Sequence, residues 1–259
     1  MPELPEVETV VRTVAPHLVG RRILSASFTS KFVTPGNRTA LAGKLAGRRI
    51  ESVRRRGKFI VVGLDEGMLS IHLGMTGRLL IAGRPGDHTY GVFSLDDGQL
   101  LYDDPRQFGK IEWNPKRVEA LGPEPLEISF EEFRVRLKRK ARIKPLLLNQ
   151  AFLAGLGNIY VDESLFASGI HPLASAERIS AGRAAKLHAA IREILTEAIA
   201  AGGSSISDYV DAEGRKGWFQ VRHRVYGREG EACTVCGAPV KKIVVGQRGT
   251  HFCPRCQKK

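Results

Sequence analysis

The chain has 259 residues, long enough for two ordinary domains or one large one. A hydrophobic fraction of 42% excludes a disordered protein, and no apolar run approaches the roughly 20 residues that span a bilayer. No basic-then-apolar signal peptide opens the chain, so a soluble, cytoplasmic protein is expected. Forty Lys and Arg against 27 Asp and Glu leave a net charge of +13, which points to a polyanionic partner. The basic residues cluster in RRRGK (54–58), RVRLKRKARIK (134–144) and the stretch from Arg215 to Arg228. A long amphipathic helix with aromatic anchors, as a membrane-surface protein carries, is not evident beside them.

In chain order, MPELPEVETVV reads as a helix entry. Pro5 suits a first turn, where its missing N–H costs nothing, and Glu3, Glu6 and Glu8 lie near the positive end of the helix dipole. Val7, Val10, Val11 and Val14 form a buried stripe, and the helix is expected to stop near Pro16. Pro2 is left unexplained by this reading. Residues 22–115 read mostly as short β-branched or alternating strands, such as FIVVGL, GMLSIHLGM and TYGVFSL. Turns such as DEG, RPGD and DDG separate them, a texture that favours an antiparallel sandwich or barrel.

LGPEPLEIS (121–129) reads as a linker, and from Phe130 to about Ala201 the texture becomes helical. Within it, Gly155 and Gly157 permit a tight turn and Asn158 begins the next helix, where exposed backbone N–H groups make a weak phosphate-cradle signal. GGSSISDYVDAEGRKGWF reads as a long loop. The four cysteines stand as CTVC (Cys233, Cys236) and CPRC (Cys253, Cys256), sixteen residues apart. Paired knuckles of this kind point to one closed, structural Zn2+ site, in preference to two disulfides in a chain with no mark of secretion. His251 is not needed as a ligand.

PELPEVE, RRGK, HLGMTG (72–77), DPRQFG (104–109), IKPLLLNQ, GLGNIYVDESLFASGIHP, VYGREG and the QRGTHFCPRC end closely resemble the bacterial formamidopyrimidine-DNA glycosylase family, in order and over nearly the whole chain. The resemblance implies an α+β protein of two domains. The first is an N-terminal helix with an antiparallel β-sandwich; the second is a helical helix-two-turn-helix domain with a zinc-bearing β-hairpin. The expected division is 1–120 for the catalytic helix and sandwich, 121–130 for a linker, 131–220 for the helical domain with a lesion-capping loop, and 221–259 for the zinc hairpin. The implied partner is damaged double-stranded DNA, bound by a monomer without a membrane. The implied reaction removes 8-oxoguanine and formamidopyrimidines and then nicks the abasic strand.

The resemblance also gives Pro2 a role, as the amine nucleophile exposed when Met1 is removed. A terminal amine has roughly 300-fold more neutral form at pH 7 than a lysine, an advantage reduced by the greater basicity of a secondary amine. Glu3 becomes the acid that assists sugar-ring opening, and Glu6 orients the terminus or serves as a helix-end charge. Lys58 becomes a proton-transfer residue and phosphate contact. Arg248, at a hairpin tip fixed by zinc, clamps the phosphates and assists the second elimination. Met75, Arg106 and Phe108 fill the void left by the extruded nucleotide. Phosphate contacts are expected from His88, Arg106, Arg139, Lys144 and Asn158. An endonuclease VIII-like enzyme for oxidised pyrimidines and a non-catalytic zinc-ribbon DNA binder are the alternatives.

Overall fold

The computed structural model describes residues 1–204, 215 and 217–259. They form two compact units: Met1–Ala120 with Ile199–Trp218, and Leu121–Ala198 with Phe219–Lys259. The expected capping loop lies mostly outside the described residues.

The first unit begins with α1 (Leu4–Leu18), capped by Glu3 and carrying Pro5 in its first turn. Val7, Val10, Val11 and Val14 are buried as a stripe, each worth about 1.5–3 kcal/mol of transfer free energy. The helix does not stop at Pro16 but runs through it to Leu18. Proline there forfeits one N–H bond, yet Leu18 is buried and the Val19 N–H still closes the last turn on the Ala15 carbonyl.

Eight strands follow: β1 (Ile23–Phe28), β2 (Ile50–Arg56), β3 (Phe59–Leu64), β4 (Met68–His72), β5 (Arg78–Leu80), β6 (Thr89–Leu95), β7 (Gln99–Asp103) and β8 (Lys110–Trp113). They pair antiparallel in two four-stranded sheets, ordered β1-β6-β7-β5 and β2-β3-β4-β8. Ile60, Val62 and Leu64 of β3, with Leu69 and Ile71 of β4, share one core with Phe93 and Leu95 of β6 and with the α1 stripe. Period-two alternation therefore resolves into a sandwich with α1 packed into its core. A short helix, α2 (Arg38–Leu45), interrupts the region read as strands. Its local signal is one N-cap, Asn37, whose side chain accepts the Ala40 N–H at 2.9 Å, and only Leu41 and Leu45 are buried. One helical turn, α3 (Lys116–Glu119), closes the region.

The second unit contains α4 (Phe130–Leu137), α5 (Ile143–Leu148), α6 (Asn158–Ala167), most of α7 (Ala181–Ala200), and the antiparallel hairpin β9 (Lys241–Val245) and β10 (Arg248–Phe252). Phe133, Phe152, Leu156, Tyr160, Leu165 and Leu187 are buried in it. Residues 121–129 are fastened to this unit: the Gly122 N–H donates to the Gln150 carbonyl at 2.8 Å, and Ile128 is buried. No described helix is long and apolar enough to cross a membrane.

Candidate active site

In the first unit the charges gather at the start of α1. Glu3 and Glu6 are only 3% and 2% exposed, unusual for carboxylates at a helix entry. Both Glu6 oxygens are engaged: Oε2 accepts the Glu3 N–H at 2.8 Å and Oε1 accepts the Ser204 N–H at 2.7 Å. Glu6 is thus a strut that ties the chain start to residue 204. Gly203 lies against it with φ +81°, where a Cβ would come within 2.7 Å of Glu6 Oε1.

Lys58 is buried at the turn of the β2–β3 hairpin. Gly57 has φ +56° ahead of it, the first central position of a type II′ turn. Arg55, in the same basic run, is an internal brace and not a free surface charge. Its Nε binds Glu8 of α1 at 2.9 Å and its Nη1 donates to the Gly57 carbonyl at 3.3 Å. The hairpin tip is thereby fixed against α1. The terminal amine of Met1 is held below its ordinary range, chiefly by burial. Glu3 and Glu6 pull its pKa up, and Lys58 and Arg106 push it down. Pro2, Glu3, Glu6, Lys58 and Arg106 therefore share one electrostatic neighbourhood.

Met75 and Phe108 are 40% and 52% exposed, so neither belongs to the core. The Arg106 guanidinium stacks 4.7 Å from the centre of the Phe108 ring. His72, the last residue of β4, has its pKa lowered to about 4 by burial, with Arg117, Lys58 and Lys110 adding to the effect. It is neutral at pH 7, and its Nδ1 accepts the Gly74 N–H at 3.1 Å. His88 is exposed in the turn before β6.

In the second unit Arg248 is exposed as the first residue of β10. Gly246 and Gln247 precede it with φ +56° and +61°, the two left-handed residues of a type I′ hairpin turn. The next residues are held from α5 and α6. The Gly249 carbonyl accepts from Asn158 Nδ2 at 2.8 Å and from Lys144 Nζ at 3.2 Å. Lys144 also binds Asp162 at 2.6 Å, and the other Asp162 oxygen accepts the His251 N–H at 2.8 Å.

Lys144, expected to contact a DNA phosphate, lies inside the second unit. Its side chain is fully buried, because α5 turns it inward onto Asp162. Asn158 is half-buried and donates to the same carbonyl, whereas Arg139 is exposed and lies 5.8 Å over Phe152. Glu163, next to Asp162, accepts backbone N–H groups of Arg224, Val225 and Tyr226 at 2.8–2.9 Å. Burial raises its carboxyl pKa against the pull of those three bonds. Sequence reasoning passed over both acids. The signal was two adjacent carboxylates inside the otherwise apolar helix NIYVDESLF.

The sulfurs of Cys233, Cys236, Cys253 and Cys256 all lie within 4.8 Å of one another, with two pairs at 3.5 and 3.9 Å. A tetrahedral zinc with about 2.3 Å bonds to sulfur has edges of about 3.8 Å, so the four sulfurs are gathered on the scale of one zinc site.

The Formamidopyrimidine-DNA glycosylase N-terminal domain model matches residues 1–111, its H2TH domain model residues 121–210, and the zinc finger found in FPG and IleRS residues 230–259. A formamidopyrimidine-DNA glycosylase of Solibacter usitatus is 59% identical over 265 residues, covering 100% of each chain. The crystal structure of the MutM (FPG) protein of Thermus thermophilus is 42% identical, with a TM-score of 0.90 over 99% of this chain and 98% of that one. A Lactococcus lactis FPG mutant solved with a Fapy-dG containing DNA is 39% identical, with a TM-score of 0.90 over 100% of both.

Replacing Lys144 with Met strands the Asp162 carboxylate without its cation. The expected cost is about 3–5 kcal/mol of stability in the second unit. Denaturant unfolding measures it, and a loss below about 1 kcal/mol, the worth of an exposed pair, would refute the buried pairing.

Proposed function

The chain belongs to the formamidopyrimidine-DNA glycosylase family, and we propose that it reacts through the amine of Pro2, exposed by removal of Met1. It is a base-excision DNA glycosylase for oxidised purines, with one structural zinc on its four cysteines and DNA as its partner. The observation that supports the Pro2 assignment is the setting of the chain start, where the buried carboxylates Glu3 and Glu6 and the cations Lys58 and Arg106 all act on the Met1 amine, one residue before Pro2.

In this reading the Pro2 nitrogen bonds to the sugar C1′ and gives up its proton to the departing base, while Glu3 protonates the ring oxygen as the C1′–O4′ bond breaks. The resulting iminium draws electrons from C2′, so that loss of a C2′ proton expels the 3′ phosphate and a second elimination expels the 5′ phosphate. Lys58 moves the proton in elimination and Arg248 clamps the phosphates. Glu6, bonded at both oxygens, orients the terminus. Met75, Arg106 and Phe108 fill the void; a flexible thioether, a planar cation and an aromatic ring, all exposed, suit that task. His88, Arg139 and Asn158 hold phosphates, and Lys144 acts indirectly by holding β10. Residues 204–220 cap the lesion, and the enzyme works as a cytoplasmic monomer.

Borohydride added during incubation with 8-oxoguanine DNA is expected to trap a covalent adduct on the N-terminal peptide, by mass spectrometry; an adduct on Lys58 overturns the assignment. Duplexes carrying thymine glycol should be cut more slowly than 8-oxoguanine opposite cytosine, and the reverse order would favour the pyrimidine branch.

Arg248→Ala is expected to leave the product of the first elimination accumulating, at least about tenfold over wild type, on a denaturing gel. Zinc chelation is expected to abolish DNA binding, by fluorescence anisotropy, before the first unit unfolds by circular dichroism. Unchanged binding after complete metal loss would contradict the positioning role of the zinc hairpin.

A further inference from the structure

Met75 stands on one loop, residues 73–77, while Arg106 and Phe108 stand on another, residues 104–109. Side chains that enter a duplex as one wedge need these loops held at a fixed spacing, and nothing in either motif states how. The connection lies at Asp104, a fully buried carboxylate between them. Its Oδ1 accepts the Thr76 hydroxyl at 2.5 Å, and its Oδ2 accepts the Gly109 N–H at 2.8 Å. The Thr76 hydroxyl in turn accepts the Arg106 N–H at 3.2 Å. One hydroxyl thus donates to the start of the second loop and accepts from its middle.

The backbones beneath are in direct contact. A Cβ on Gly74, which has φ +60°, would lie 2.5 Å from the Gly109 nitrogen, and one on Gly109 would lie 1.6 Å from the Tyr102 hydroxyl. That hydroxyl sits 3.4 Å from both Asp104 Oδ2 and the His72 carbonyl, closing the contact from below. Gln107, at φ +54°, is held on the other side by the Ser30 hydroxyl at 2.6 Å. The tips bearing Met75 and Phe108 stay exposed while their bases are bonded together.

We propose that Asp104, acting through Thr76, is a positioning residue for base extrusion: it locks the two loops into one wedge without touching DNA. This rests on the reading of Met75, Arg106 and Phe108 as the void-filling group. The carboxylate is needed because two donors from different loops converge on it. An amide offers one oxygen and sets an NH2 group against one of those donors.

The test compares D104N, T76V and T76S with wild type. Duplex excision of 8-oxoguanine is read under single turnover, and wedge entry by the fluorescence of 2-aminopurine beside the lesion. Borohydride trapping on a single-stranded abasic oligonucleotide, which has no opposing strand to wedge, reads the amine chemistry alone. D104N and T76V should lose duplex excision and the 2-aminopurine signal on the order of tenfold, as expected for one buried charge-assisted hydrogen bond. T76S, which keeps the hydroxyl, should stay within about twofold on the same scale. Single-strand trapping should be unchanged in all three.

Wild-type duplex excision in both D104N and T76V overturns the proposal, and so does single-strand trapping that falls as far as duplex excision. Failure of wild type to trap at all would instead overturn the Pro2 reading, while the 2-aminopurine signal still decides the role of Asp104.

Discussion

Buried carboxylates that accept backbone N–H groups are the interaction on which this protein's functional geometry depends. Glu6, Asp104, Asp162 and Glu163 are all nearly or fully inaccessible, and each accepts a backbone N–H and is bonded to a segment outside its own element, Asp104 through the Thr76 hydroxyl. An ionised carboxylate out of water is tolerated only when its lone pairs are filled. The loops that fill them are therefore held in one conformation. Glu6 ties the chain start to Ser204, Asp104 joins the two exposed loops, and Asp162 and Glu163 fasten β10 and residues 224–226 to one helix. The same chemistry serves four times because loop backbone offers few other handles for a rigid attachment.

The positive charge divides along the same line. Arg55 and Lys144 sit in runs that look like solvated basic surface, yet both are braces, bound to Glu8 and Asp162. Arg106, Arg139 and Arg248 remain exposed and available to a polyanion. The net charge describes the partner correctly, but a basic run mixes residues that face it with residues that hold the scaffold.

The β9–β10 hairpin is held at two levels. The zinc knuckles close the C-terminal segment, while Asn158, Lys144 and Asp162 grip β10 at Gly249 and His251, directly after Arg248. Metal coordination fixes the knuckles, and the buried ion pair fixes the strand on which the arginine stands.

Periodicity and spacing carried much of the outcome. The valine stripe of α1, the alternating strands, the helical second half and the paired cysteine knuckles were all legible because each is a local pattern with one physical solution. Sequence motifs also brought out Pro2, Glu3, Lys58 and Arg248 as candidates. The extension of α1 past Pro16, the short α2, the burial of Lys144 and the anchoring roles of Asp104, Asp162 and Glu163 were decided only by tertiary structure. Each depends on a partner distant in sequence: the core around Leu18, Thr76 for Asp104, His251 for Asp162. A sequence displays which residues carry charge and at what interval. Whether a charge faces solvent or a buried N–H is settled by what packs against it.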